Sequence, residues 1–219
     1  MRRASGAVAL LLLLRLAPPA AAADRVLARA VVAAGVENVY TRPDEASPVD
    51  DQVILGETVE VLDETAGFAK VRTASGEVAW IPERALRRGT PAPKRCGRVT
   101  SPQAHLYRVP DVTESRPLVT APWGAELAVE EEFTAERHVW LRVALPDGRT
   151  AFLSKDDAAL SCERPALTAD WFEAGKRFLG APYTWGGTSP AGFDCSGLVY
   201  RLLRERGVAV RRKIGRAHV

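Results

Sequence analysis

Long apolar runs are scarce in this 219-residue chain, and the clearest one lies at its N-terminus. The run from Ala7 to Leu14 follows two arginines, is broken by Arg15 and is too short to span a bilayer. Small residues ending at Ala23 follow it, and no cysteine nearby offers a site for lipid attachment. This order is typical of an export signal. We predict a signal peptide over residues 1–23 and an exported protein, periplasmic or extracellular, with no membrane anchor after cleavage.

An excess of one charge sign is also absent, since 30 basic residues face 27 acidic ones and the net charge is +3. No basic stripe with interleaved aromatic residues is present, which argues against nucleic-acid binding. The content of 47% hydrophobic and 26% charged residues is ordinary for a soluble globular protein.

Cysteine is limited to three residues, so at least one has no intramolecular disulfide partner. Cys96 and Cys162 both lie in short polar contexts, and an oxidising compartment would allow them to pair. A disulfide closing that loop would stabilise the fold by about 4 kcal/mol in the chain-entropy model. Two unpaired thiols are the alternative, and Cys195 is left over in either case.

Residues 28–163 contain two copies of one short pattern. Tyr40 in the first copy matches Tyr107 in the second, 67 positions later, and Gly56 matches Gly124. Each glycine begins an alternating apolar segment, and two further strand patterns surround a glycine-containing turn. Such repetition predicts two similar all-β units.

About five short strands in roughly 60 residues are typical of a small closed barrel. The order of motifs resembles bacterial SH3-like domains, and we assign these domains to residues 28–90 and 95–163. The basic, proline-containing residues 87–95 are predicted to link them.

From residue 166 onward the pattern becomes helical. We predict a helix with Thr168 as N-cap and an apolar face formed by Trp171, Phe172, Phe178 and Leu179. A second apolar helical pattern begins near Ser196. Cys195 would then lie at a helix N-terminus, where free amides and the helix dipole favour a nucleophilic thiolate. An inert buried cysteine fits the same local sequence.

The longer stretch FLGAPYTWGGTSPAGFDCSGLVYRLLRERGV resembles the active-site segment of the NlpC/P60 cell-wall cysteine peptidases. The aromatic residues, the glycines and the cysteine all have that family's spacing. The resemblance implies an incomplete papain-like α+β domain over residues 166–213. The expected fold is therefore α+β overall, with two SH3-like β-barrels ahead of that domain.

The resemblance also assigns roles to residues. Cys195 would be the nucleophile, and the Tyr183 hydroxyl would help to stabilise the oxyanion. Asp194 and Ser196 would help to hold the free amine of the substrate, although Asp194 could instead only cap the helix. Trp185 and its two following glycines are expected to serve the fold. No metal or other cofactor is implied.

A histidine in a suitable position is missing. A thiolate peptidase needs a histidine as base and then as acid, and in this family it follows the cysteine by several dozen residues. Only 24 residues follow Cys195, and His218 is the one histidine among them. The codons ATC GGA AGA GCA CAC GTC would encode Ile214–Val219 and match a common sequencing-library adapter. We therefore expect residues 214–219 to be an artefact and the fragment to be inactive.

The resulting hypothesis is an exported cysteine endopeptidase of peptidoglycan stem peptides. The resemblance implies hydrolysis of the amide between γ-D-glutamate and a diamino acid, through an acyl-enzyme. One alternative is the same fold acting on intact peptidoglycan. Others are a wall-binding protein with an inactive or absent peptidase domain and a purely structural SH3-like adaptor.

Overall fold

The computed structural model describes residues 25–90 and 93–212. The predicted signal peptide and the terminal residues 213–219, which include His218, lie outside these residues. Strands dominate and helices are few. Within the described part of the chain, no helix is both long and apolar enough to cross a membrane.

The first β-unit contains seven strands in one antiparallel sheet, in the order β3-β2-β6-β5-β4-β1-β7. The strands are β1 (Ala28–Val32), β2 (Val36–Tyr40), β3 (Val49–Ile54), β4 (Thr58–Thr65), β5 (Phe68–Arg72), β6 (Val78–Pro82) and β7 (Leu86–Arg88). A single turn of 3₁₀ helix, Glu83–Ala85, precedes β7. Alternating apolar residues such as Val59 and Val61 on β4 fill the core.

The second β-unit also contains seven strands, divided between two sheets. The strands are β8 (Cys96–Val99), β9 (Gln103–Leu106), β10 (Val119–Pro122), β11 (Glu126–Ala135), β12 (His138–Ala144), β13 (Thr150–Ser154) and β14 (Ala158–Ala159). Five form a sheet in the order β13-β12-β11-β8-β14, and β9 pairs with β10. A 3₁₀ turn, Lys155–Asp157, precedes β14.

The prediction of closed barrels was wrong. In the described part of the first unit, the pairing order ends at β3 and β7, which do not pair with each other. Strand β3 instead contacts the C-terminal segment, where Thr188 donates from its backbone amide to Gln52 Oε1 at 3.2 Å. In the second unit, β9 and β10 form a separate two-stranded sheet, and a bridge between Tyr107 and Phe152 connects it to β13.

The predicted linker was too long at its N-terminal end. Arg87 and Arg88 belong to β7, because they pair with Val31 and Ala30 of β1.

The two glycines that the repeat aligns both lie where one part of the chain contacts the next. Gly56 has φ +83° and Gly124 has φ +86°, a conformation that residues with a Cβ rarely adopt. A Cβ at Gly56 would overlap the Glu126 carbonyl oxygen of the second unit. At Gly124 it would lie 2.9 Å from the Glu205 carboxyl carbon. Equivalent turns therefore pack against the next part of the chain in both units.

The C-terminal segment contains a 3₁₀ helix, two short paired strands and one α-helix. Their bounds are Trp171–Phe178 for the 3₁₀ helix, Thr188–Ser189 for β15, Gly192–Phe193 for β16 and Gly197–Arg204 for α1. Phe178, Phe193 and Leu202 pack against Trp123 of the second unit in a small apolar core.

The first predicted helix differs from the structure in type, cap and face. It is a 3₁₀ helix whose N-cap position is Asp170, with no capping bond from the side chain, and Thr168 Oγ1 instead donates to Asp170 Oδ1 at 2.5 Å. A 3₁₀ helix has three residues per turn, so the inward positions differ from those of an α-helix. Phe178 is buried, whereas Phe172 is 55% exposed and Leu179 is 83% exposed.

Candidate active site

Cys195 lies in the turn between β16 and α1, and its side chain is exposed. It is the free cysteine of the described residues, because Cys96 and Cys162 form a disulfide with a Cα–Cα distance of 5.5 Å. The disulfide connects β8 of the second unit to the segment that leads into the C-terminal region. It leaves Cys195 as the thiol available for chemistry.

The Asp194 carboxylate builds the turn around Cys195. Its Oδ1 accepts from the backbone amides of Ser196 at 3.0 Å and Gly197 at 2.7 Å, and from Ser196 Oγ at 3.1 Å. These bonds satisfy amides at the start of α1, which lack partners within the helix. The helix thus begins at Gly197, as the sequence pattern indicated, and the residues on both sides of Cys195 are fixed by one carboxylate.

The second oxygen of Asp194 is also occupied. Oδ2 accepts from the Gly186 amide at 3.1 Å and contacts Arg212 Nη2. The capping role proposed for Asp194 is therefore present in the structure, and it includes an ion pair that the sequence did not suggest. The roles of Asp194 and Ser196 in holding a substrate amine remain predictions.

Arg212 joins this turn to the first β-unit. Its Nη1 contacts Asp51 Oδ1 on β3 and donates to the Gly186 carbonyl oxygen at 2.7 Å. The side chains of Arg212 and Asp51 are each 1% exposed, so this is a buried ion pair. Ser75 Oγ donates to the other oxygen of Asp51 at 2.6 Å. Burial raises the pKa of Asp51 above its usual 3.8, against the lowering effects of Arg212 and Ser75.

A second buried ion pair joins α1 to the first unit. Arg201 is 1% exposed, and its Nη1 donates to Glu57 Oε1 at 2.9 Å. Its Nε donates to the Thr188 carbonyl oxygen at 3.0 Å. Burial alone would raise the pKa of Glu57, but the Arg201 and Arg204 guanidiniums outweigh this and hold it below 4.5.

Glycine allows the helix to approach the loop before it. A Cβ at Gly197 would overlap the Gly187 carbonyl oxygen, which accepts from the Asp194 amide at 3.1 Å. This close approach requires a glycine at position 197. It also supports a fold role for the glycines of the WGG sequence.

Tyr183 is placed by main-chain bonds near the nucleophile candidate. It forms a bridge with Phe193, two residues before Cys195, and the Phe193 amide donates to the Pro182 carbonyl oxygen at 3.1 Å. The side chain of Tyr183 is 65% exposed. Its contribution to an oxyanion site remains a prediction.

Trp185 is 69% exposed, and its Nε1 donates to the Val49 carbonyl oxygen of β3 at 3.0 Å. This bond ties the loop before Cys195 to the first unit, so a role in the fold accounts for the residue.

The histidines of the described residues belong to the second β-unit. His105 lies on β9, where its Nδ1 is 2.9 Å from Thr120 Oγ1, and His138 begins β12. Neither belongs to the segment that contains Cys195.

Sequence reasoning missed the buried arginines Arg201 and Arg212. Arg201 interrupts the apolar residues of α1, and this interruption was the one available signal. Arg212 follows the helix in a polar stretch and gave no signal. Their carboxylate partners lie 144 and 161 residues earlier in the chain.

Two parts of the chain match known protein families. Residues 39–86 match the bacterial dipeptidyl-peptidase Sh3 domain, and residues 180–218 match the NlpC/P60 family. These matches confirm the resemblance predicted from the residues around Cys195.

Similar proteins carry consistent names. A γ-D-glutamyl-L-lysine dipeptidyl-peptidase of Bacillus cereus strain ATCC 10987 is 31% identical over 78% of this chain and 54% of its own length. A protein of the same name from Bacillus subtilis strain 168 is 26% identical, and the match covers 76% of this chain and 56% of that protein. The chain thus spans about half the length of these relatives.

A crystal structure of an NlpC/P60 family protein from Bacillus cereus ATCC 10987 is also similar. It has a TM-score of 0.72 and 25% identity, and the match covers 84% of this chain and 74% of that one.

Proposed function

Because the C-terminal segment of this chain matches the NlpC/P60 family, we propose that the complete protein is an exported cysteine peptidase. Its substrates are peptidoglycan stem peptides. It hydrolyses the amide between γ-D-glutamate and a diamino acid. The observation that carries the proposal is an exposed free thiol, Cys195, held at the start of α1 by the Asp194 carboxylate.

The chemistry follows from this placement. The Cys195 thiolate attacks the scissile carbonyl, the amine of the diamino acid leaves with a proton, and water hydrolyses the resulting thioester. The Tyr183 hydroxyl is the group proposed to help stabilise the developing oxyanion. The base that activates the thiol is proposed to be a histidine encoded downstream of Lys213.

The finer architecture is part of the same proposal. The two β-units are SH3-like domains, and the C-terminal segment is the first part of a papain-like domain. Strand β3 of the first unit supports the loop before Cys195 through bonds to Trp185 and Thr188. The SH3-like units would then form one side of the substrate cleft and favour short peptides.

The test begins with the source DNA, read through the codon for Lys213 without library adapters. The protein from the continuous reading frame is incubated with L-Ala-γ-D-Glu-L-Lys or the diaminopimelate tripeptide, and release of the diamino acid is measured by mass spectrometry. We expect release with the wild type and none with Cys195→Ser. A full-length protein that cleaves neither peptide contradicts the proposal.

Two further assays address the alternatives. Intact sacculi, offered in parallel, test whether the same site acts on the polymer rather than on free peptides. Co-sedimentation with sacculi tests wall binding. If the reading frame stops after Val219 and the chain binds sacculi without releasing an amino acid, the wall-binding alternative replaces the peptidase.

A further inference from the structure

A buried chain of three charged side chains leads from the first β-unit to the turn that holds Cys195. Asp51 on β3 contacts Arg212, and Arg212 contacts Asp194. The exposed fractions of these side chains are 1%, 1% and 11%. Charges that are this buried persist only when they are paired and hydrogen-bonded, so each member determines the position of the next.

We propose that Asp51 is a positioning residue for Cys195. It holds the Arg212 guanidinium in one orientation, Arg212 holds Asp194, and Asp194 fixes the turn that presents the thiol. The first β-unit therefore contributes to the reactivity of Cys195 although Asp51 itself touches no reacting atom.

The contacts of Asp51 hold it rigidly in place. One carboxylate oxygen accepts from the Gln52 amide at 2.8 Å and contacts Arg212, and the other accepts from Ser75 Oγ at 2.6 Å. Ser75 Oγ lies 2.6 Å from Thr73 Oγ1, which extends the network into the turn between β5 and β6. A carboxylate held from several sides is a fixed anchor for an arginine that follows the last helix.

Arg212 has two separate effects at the other end of the network. It donates to the Gly186 carbonyl oxygen at 2.7 Å, while Asp194 accepts from the Gly186 amide at 3.1 Å, so the loop before Cys195 is held on both sides of one residue. Its positive charge also opposes the negative charge of Asp194 next to Cys195. Losing Arg212 would leave a carboxylate beside the thiolate without its counterion, which disfavours the thiolate.

The test uses this chain and needs no turnover. With the Cys96–Cys162 disulfide intact, Cys195 is the one thiol that iodoacetamide can modify, and the alkylation rate at pH 7 is followed by mass spectrometry. The inference rests on the proposed function only in treating Cys195 as the nucleophile. Because alkylation is measured without substrate, failure of the inference is distinguishable from failure of the proposed function.

Two variants of Arg212 test the charge and the geometry. We expect Arg212→Gln to slow alkylation about tenfold, the order of effect that loss of a partly buried charge partner gives. Arg212→Lys should recover part of the rate, because it keeps the charge but not the two-sided contact of the guanidinium. Alkylation of Arg212→Gln at the wild-type rate would overturn the proposal.

Asp51→Asn separates positioning from charge alone. Removing a negative charge from this network should favour the thiolate and speed alkylation if only electrostatics mattered. We expect slower alkylation instead, about threefold, since the arginine loses its anchor. Faster alkylation than the wild type would overturn the proposal.

Control variants distinguish positioning from general loosening of the interface. Glu57→Gln removes another buried carboxylate of the first unit, which pairs with α1 but does not contact Asp194. Glu45→Gln removes an exposed one, paired with Arg84. We expect a wild-type alkylation rate for Glu45→Gln and a smaller slowing for Glu57→Gln than for Asp51→Asn. Equal slowing in Glu57→Gln and Asp51→Asn, with folding checked by circular dichroism, would assign the effect to loosening and contradict the proposal.

Discussion

Arg201 on α1 donates to Glu57 of the first β-unit at 2.9 Å, across 144 positions of the chain. Both side chains are almost fully buried, with exposed fractions of 1% and 8%. Arg201 also donates to the carbonyl oxygen of Thr188, in the loop before Cys195. The helix that follows Cys195 is therefore held by a charge from the N-terminal part of the protein.

Removing one partner of this pair should destabilise the protein. We expect Glu57→Ala to lower the free energy of unfolding by about 3 kcal/mol or more, because Arg201 is left as an unpaired buried charge. Urea denaturation measures this change. Glu45→Ala, which breaks an exposed pair with Arg84, should have a much smaller effect. Similar losses in both variants would contradict the interpretation.

The same residue makes stability depend on pH. The pKa of Glu57 is lower in the folded protein than its usual 4.5, so its contribution is present above that value and is lost as pH falls through the folded pKa. Asp51 has a raised pKa and contributes in the opposite direction. We expect stability to fall between about pH 5 and pH 3 less steeply in Glu57→Gln than in the wild type. Urea denaturation across this range decides the question, and identical slopes would be evidence against a lowered pKa.

The disulfide predicts a specific thiol count. Without reductant, one thiol per chain should react with Ellman's reagent under denaturing conditions, and three should react after reduction. Cys162→Ser should lower the free energy of unfolding by about 4 kcal/mol in the chain-entropy model. Three reactive thiols before reduction would show that the disulfide does not form.

Gly197 should tolerate no side chain. In Gly197→Ala the new Cβ overlaps the Gly187 carbonyl oxygen, so the turn around Cys195 must move and the alkylation rate of the thiol should change several-fold. Gly175→Ala is the matched control in the 3₁₀ helix, where a Cβ would lie 3.2 Å from a Leu202 methyl group and no closer to the backbone of another segment. We expect that variant to keep the wild-type rate. Equal effects of the two substitutions would argue against a specific contact at Gly197.

Much of the fold could be predicted from local sequence. The alternation of apolar residues and the turn glycines indicated two similar β-units, and Gly56 and Gly124 indeed occupy equivalent turns. Barrel closure could not be predicted in this way, because it depends on which strand edges meet. The edge of β3 contacts Thr188 instead, a partner 136 residues away from Gln52.

The position of Cys195 in the candidate site could be predicted from local sequence, but the long-range contacts of the site could not. Cys195 at the start of a helix follows from the apolar spacing after it, and the helix does begin at Gly197. The ion pairs of Arg201 and Arg212 are long-range contacts between polar residues, which no local periodicity reports. The first predicted helix shows another limit: its apolar residues suggested an α-helical face, but a 3₁₀ helix exposes Phe172 and Leu179.

The contacts of β3 mean that the boundaries read from the sequence are not boundaries of independent folding. A shortened protein starting at residue 166 would contain Cys195, α1 and both arginines. It would lack Asp51 and Glu57, and it would expose the apolar surface that Trp123 covers. A first unit exchanged from a related protein would therefore support the C-terminal segment only if it carried both carboxylates, one to pair with Arg201 and one to pair with Arg212.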